Sequence, residues 1–156
     1  MIRWINEHDY TEFLQMAHEF YASDAVLHPL PDHYHRRNFE EMCKPDGWLR
    51  GYMFEVDGKA VGFAMIGMAY STEVAGKAAW IEDVYVREGY RSQGIGKAFF
   101  ARLEQDFGGK VRRFRLEVEE ENERAVALYR SLGFEVLPYM QMIRDFPDDG
   151  EGADHV

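Results

Sequence analysis

Residues 90–104 read Tyr90-Arg91-Ser92-Gln93-Gly94-Ile95-Gly96-Lys97-Ala98-Phe99-Phe100-Ala101-Arg102-Leu103-Glu104. Ahead of them lies a strand-like run, Ala79 to Arg87, and behind them Ile95, Phe99, Leu103 and Phe107 recur on one helical stripe. Two glycines one residue apart therefore sit where a strand gives way to a helix. A helix N-terminus presents unpaired N–H groups and a partial positive charge. Glycine lets an anion approach those amides, and Arg91 and Lys97 add formal charge. The pattern suits a phosphate or pyrophosphate, although paired glycines also serve as an ordinary turn and cap. It is neither a P-loop, which needs GxxxxGK[ST], nor a dinucleotide loop, because Lys-Ala-Phe follows Gly96 where a third glycine is required.

Working outward, Met1 to Ile5 predicts a short strand, and Asp9 and Thr11 offer helix-start chemistry before Phe13, Leu14, Ala17, Phe20 and Tyr21. Two prolines break the pattern between Ser23 and Asp32, and a second helix is predicted over Tyr34 to Cys43. The period then changes to two: Leu49 to Val56, the turn Asp57-Gly58, and Ala60 to Tyr70 make a hairpin. After the glycine-led helix, which Gly108-Gly109 stops, Phe114 to Val118 alternates as a strand. Asn122 then caps a helix carrying Ala125, Leu128, Tyr129 and Leu132, with Gly133 as its stop. Phe134 to Phe146 is expected to be extended, bent or at an edge near Pro138. Met53, Met65, Met68 and Met140 fall in strand patterns as core filler. The order β-α-α-β-β-β-α-β-α-β(β) implies an α+β fold: a mixed, mostly antiparallel twisted sheet of six to seven strands with helices on both faces.

The whole chain sets outer bounds. At 156 residues, 46% hydrophobic, it suits one domain over residues 1–146, followed by an acidic, glycine-rich tail, 147–156, expected to be disordered. A net charge of −10 argues against general nucleic-acid binding and suits a cationic ligand, as well as plain solubility. The single cysteine, Cys43, and the lack of any long apolar run point to a reducing cytoplasm, with no membrane partner. His28, His33 and His35 lie close together but lack a supporting ligand pattern, so no metal is expected.

Strand, Arg91-x-x-Gly94-x-Gly96, then helix resembles the acyl-CoA pyrophosphate loop of the GNAT superfamily of N-acetyltransferases. Two further elements carry the resemblance: the strand Ile81-Glu82-Asp83-Val84-Tyr85-Val86, five residues ahead of Arg91, and the Asn122, Ala125, Leu128, Tyr129, Gly133-Phe134 pattern. The run Val61 to Met65, with Tyr70 to Gly76 and Ile81-Glu82-Asp83, is most similar to the diamine (spermidine/spermine) and thialysine acetyltransferases. The resemblance implies acetyl-CoA as co-substrate, held by Val84, Tyr85 and Val86 as an added strand would be. It also implies diphosphate contacts from Arg91, Ser92, Gln93, Gly94, Ile95, Gly96 and Lys97, with Gln93 acting through its backbone amide. Asn122 caps its helix and is a further cofactor contact. Tyr21, His28, Tyr34 and His35 are implied acceptor contacts, and homodimers occur among related proteins.

Acetyl transfer to an amine needs a neutral nucleophile, a polarised thioester and a proton for the departing thiol. An alkylammonium near pKa 10.4 must lose its proton first. Tyr129 is the candidate general acid, with a core tyrosine on the Ala125–Leu132 stripe as the plain alternative. Glu82 is the candidate base, directly or through a water, and an acceptor contact; Asp83 is expected on the opposite sheet face if alternation holds. Cys43 lies outside every matched element, so attack is expected to be direct, in a ternary complex. The expected activity is transfer of acetyl from acetyl-CoA to a small cationic amine. The alternatives are a protein lysine or N-terminal acetyltransferase, and an acyl-CoA-binding module without turnover.

Overall fold

The structure, a computed structural model, describes residues 1–148. The chain divides into two compact units, Met1–Glu117 and Val118–Val156. The first holds β1 (Ile2–Trp4), α1 (Tyr10–Tyr21), α2 (Asp32–Cys43), β2 (Leu49–Val56), β3 (Lys59–Ser71), β4 (Gly76–Val86), α3 (Ile95–Phe107) and β5 (Arg113–Leu116). The second holds α4 (Glu123–Ser131). The strands form one sheet in the order β1-β2-β3-β4-β5, antiparallel except for the parallel pair β4 and β5, which α3 connects.

Local chemistry explains most boundaries. Asp57 and Gly58 both take positive φ, 50° and 74°, as the two-residue hairpin between β2 and β3 requires. Asp9 stands at the N-cap position of α1 but makes no capping bond to it, being buried and bonded to Arg3; Asn6 caps the single turn ahead, Glu7–Asp9, by accepting from the His8 amide. Strand alternation then sorts the core into two layers. Phe13, Met16, Phe39 and Met42 from α1 and α2 pack on Met53, Phe63, Met65 and Tyr85. On the other face Phe99 of α3 meets the rings of Tyr52 and Phe54, at centroid distances of 5.5 and 5.3 Å.

Three expectations change. The sheet has five strands among the described residues, because the described residues after Phe134 join no ladder. An extended segment becomes a strand only when an edge receives its amides, and apolar composition does not encode that. Met140 is accordingly exposed at 88%, whereas Met53 and Met65 are buried as expected. The expected tail falls mostly outside the described residues. The third change is the alternation of β4, and it shapes the site.

Candidate active site

Ile66 pairs with Ile81, but Met65 pairs with Asp83, so Glu82 is an extra residue in β4 with no partner in β3. This is a β-bulge, which re-aims side chains. Asp83 pairs with Met65 on the α1/α2 face. A Cβ built on Gly67 would lie 2.9 Å from Glu82 Oε1, so the Glu82 carboxylate rests over bare backbone at Gly67. Gly67 pairs with Trp80, and Trp80 and Glu82 line one cleft. The two adjacent carboxylates thus share a face, in place of the expected opposite placement. The bulge cancels the alternation on which that expectation stood.

The cleft has a volume of about 520 Å³, and its walls include Asn38 and Glu41 of α2, Trp48 ahead of β2, Gly67, Trp80, Glu82 and Glu117. Glu41 is partly neutralised, accepting from Lys44 Nζ at 2.6 Å and the Trp48 amide at 2.7 Å. The Arg115 guanidinium lies 4.2 Å from the Trp80 ring centroid. Glu82 keeps contact with solvent at the cleft mouth, yet burial, then Asp83, then Glu117 raise its pKa above the ordinary carboxylate value. Burial also raises Asp83, opposed by the hydrogen bond it accepts from Tyr21. A second cavity, about 410 Å³, is lined by Ile5, Asn6, Glu7, His8, Met42 and Cys43 and contains none of the residues the sequence singles out as catalytic.

Beyond the bulge, β4 runs on to Val86 beside β3, while β5 ends at Leu116 opposite Ile81. From Glu82 to Val86 the other edge of β4 has no strand partner among the described residues. Alternate residues turn their amides and carbonyls to that edge: Arg87 N donates to Val61 O on the β3 side, so Tyr85 faces β3 while Val84 and Val86 face the edge where the resemblance implies an extended ligand arm. Tyr85 turns its backbone to β3 and its ring inward: the side chain is buried, and its hydroxyl donates to Glu19 Oε2 at 2.9 Å. The following loop holds Ser92 at φ 65° and Gly94 at φ 81°, the latter as N-cap of α3. Left-handed residues there turn successive N–H groups to one side, and the first amides of α3 have no intrahelical acceptor. Arg91 Nε donates to Val86 O at 2.8 Å, tying loop to strand, and Gln93 Nε2 donates to Gly89 O at 3.2 Å. The Gln93 side chain is thereby turned to its own loop, leaving its amide as the group for an anion.

The acceptor residues named from sequence separate. Tyr21 belongs to the site, because its hydroxyl donates to Asp83 Oδ2 at 2.5 Å. Tyr34 is half-buried on α2 and His28 is exposed in the preceding segment. His35 is 1% exposed, its ring 5.3 Å from His18 and 5.1 Å from Tyr21. It is a packing residue behind the site, because α2 turns it inward with Phe39 and Met42. The sequence reading missed Trp48, Trp80, Glu41 and Glu117. The shared parity of Trp80 and Glu82 on one strand was the signal for Trp80.

In the second unit, the Asn122 side chain accepts from the Ala125 amide at 3.3 Å and so caps α4. Tyr129 packs against Phe134, ring centroids 5.9 Å apart, and burial raises its pKa above the usual phenol value.

The model of the acetyltransferase (GNAT) family matches residues 8–134. The chain belongs to that family. Thialysine N-epsilon-acetyltransferase of Mus musculus is 28% identical over 96% of this chain and 92% of that protein. The spermine/spermidine N(1)-acetyltransferase of Bacillus subtilis is 31% identical over 51% of this chain and 55% of that one. The matches to the thialysine enzymes of Sus scrofa and Bos taurus span about half the length of each, 54%. Among solved structures, a possible acetyltransferase from Clostridium difficile 630 superposes with a TM-score of 0.78 at 22% identity, covering 95% of this chain and 98% of that one. AAC(6')-Iy, in complex with a CoA-linked bisubstrate analogue, does so at 0.77 and 20%, covering 94% and 98%. These likenesses show the mixed α+β fold of the family. No described helix is long and apolar enough to cross a membrane.

Proposed function

We propose that this chain, an acetyl-CoA-dependent N-acetyltransferase of the GNAT family, acetylates the primary amine of a small cationic molecule by direct attack on the bound thioester. One observation carries the proposal. The bulge that exposes the Glu82 carboxylate lies where β5 leaves β4, so a base stands at the start of an unpaired backbone edge that leads to the amide-rich loop before α3.

The residues fit acetyl-CoA. The amides of Gln93, Ile95, Gly96 and Lys97 would hold the diphosphate, with Arg91 and Lys97 supplying charge. The edge from Val84 to Val86 would pair with the pantetheine arm, and one of its N–H groups would polarise the thioester carbonyl. The acceptor arrives as an ammonium, drawn by Glu82, Asp83 and Glu117 and accommodated by the Trp48 and Trp80 faces. Glu82, with its raised pKa, takes the ammonium proton directly or through a water. The freed amine then forms the C–N bond as the C–S bond breaks. Tyr129, whose raised pKa keeps it protonated at rest, donates to the departing sulfur; the extra proton on the new amide nitrogen is lost to solvent, from which the phenolate is reprotonated. Cys43 makes a poor acetyl carrier: burial, with Glu7 and Asp9, raises its thiol pKa, and it packs against the core. The family match, residues 8–134, runs past Glu117 into the second unit.

A second acceptor class, a lysine on a polypeptide, is supported by the cleft's open mouth, where Trp48 is 76% exposed. Thiol release from acetyl-CoA against polyamines, thialysine, amino acids, aminoglycosides and lysine peptides tests both. Preference for a small amine is the expected result. Turnover confined to peptides would replace the first acceptor class by the second. Tight acetyl-CoA binding with no thiol release on any amine would make the chain a binding module.

A further inference from the structure

In the mechanism above Asp83 serves only as one of three carboxylates that attract the ammonium. In an unbroken strand it would face α3, but the extra residue at Glu82 brings it round to the α1/α2 face beside its neighbour. There Tyr21 reaches it from α1 and donates a hydrogen bond of 2.5 Å to Oδ2. The Tyr21 phenol keeps its proton, because burial and the Asp83 and Glu82 charges push its pKa upward, so it acts here as a donor. A carboxylate that accepts such a bond is favoured in its charged form.

We propose that Asp83, fixed by Tyr21, is a positioning residue whose negative charge keeps Glu82 basic enough to take the proton of the bound ammonium. The proposal rests on Glu82 as the base. An unperturbed glutamate near pKa 4.3 is mismatched by roughly six units to an alkylammonium near 10.4, and a fixed like charge on the adjacent residue narrows that gap. Burial at the cleft is the largest cause of the rise at Glu82, and Asp83 is the largest contribution from another charged group. The other charges facing Glu82 come from different elements. Glu117, at the end of β5, acts in the same direction but after Asp83 in size. Glu41 of α2 is engaged by Lys44, and Arg115 of β5 sits on the Trp80 ring.

The test follows the Glu82 side-chain carboxyl carbon by NMR through a pH titration of the full chain, in the wild type, D83N and E117Q. The Glu82 midpoint is expected to fall in D83N, and by less in E117Q. The acid limb of kcat/KM should move to lower pH with it, the plateau rate falling ~3–10-fold through the weaker base while acetyl-CoA affinity holds. A merely structural Asp83 would lower the rate without moving that limb. A Glu82 midpoint in D83N equal to or above that of the wild type overturns the proposal. Should D83N fail to fold, Y21F replaces it: without its donor Asp83 protonates more readily, so the Glu82 midpoint again falls, and an unmoved midpoint overturns the proposal. The NMR reading needs no turnover, so inactivity toward every amine would sink the proposed function while still deciding the role of Asp83.

Discussion

Gly67→Ala isolates the placement of Glu82 from the stability of the fold. The added Cβ would stand 2.9 Å from Glu82 Oε1, with Cγ and Cδ at 3.5 and 3.6 Å. Only the oxygen is too close, and it ends a flexible side chain, so relief needs a shift of roughly half an ångström at the carboxylate. Backbone pairing between Gly67 and Trp80 can persist, and alanine is acceptable in a strand. The expected effect on melting temperature is therefore small, within ~2 °C. Catalysis is less forgiving, because a 1 Å misplacement of a reacting group costs on the order of 10²-fold, so half that displacement should cost ~10-fold in kcat. Thiol release at saturating acetyl-CoA and amine measures the rate, and a thermal melt with and without acetyl-CoA reports fold and co-substrate binding. An unchanged kcat in a protein of unchanged stability would refute the assignment of Glu82 as the base resting over Gly67.

Other substitutions probe separate parts of the structure. Gly94→Ala meets no atom within 4 Å but forces an L-residue to φ 81°; it should cost about 1 kcal/mol of stability and weaken acetyl-CoA binding ~10-fold by calorimetry, and unaltered binding would count against the loop. Glu82→Gln tests linkage: the folded pKa of Glu82 lies above its unfolded value, so the wild type loses stability as pH rises through the folded pKa. The variant should melt higher than the wild type near pH ~8, with the gain vanishing near pH ~3 where both states are protonated, while activity is lost. Arg3 bridges Asp9 at 2.7 Å and Glu55 at 2.6 Å; burial is the largest single influence on the Asp9 carboxyl and would raise it, but the bonds from Arg3 and the Asn6 amide, with the Arg3 charge, together hold it below the ordinary value. Arg3→Ala strands a buried charge and should cost about 3 kcal/mol in denaturant unfolding, without changing the acetyl-CoA dependence of turnover.

How far the sequence discloses this protein depends on the range of the interactions involved. The hairpin at Asp57-Gly58, the α3 stripe of Phe99 and Leu103 and the Asn122 cap are local signals, and each appears at or near its expected place. The glycine loop is equally local, since Gly94 meets its demand for a left-handed residue within the residue itself. The bulge at Glu82 is not local. It depends on how β4 registers against β3, and a one-residue slip exchanges the faces of everything beyond it. That is why Asp83 was expected on the wrong side and why its partnership with Tyr21, 62 positions away in the chain, was invisible. The cleft walls at Trp48, Glu41 and Glu117 likewise meet only through the packing of α2 on the sheet. Burial of His35 follows from the rotation of α2, which three closely spaced histidines do not report.

The central claim, that bared amides at the start of α3 hold the diphosphate of acetyl-CoA while the free edge of β4 holds its arm, is tested most directly by amide chemical shifts during a titration with acetyl-CoA. The largest saturable changes are expected at Gln93, Ile95, Gly96 and Lys97, with a second set at Val84 to Val86. Saturation that leaves both sets unmoved, or shifts confined to the cavity at Ile5–His8, would contradict it.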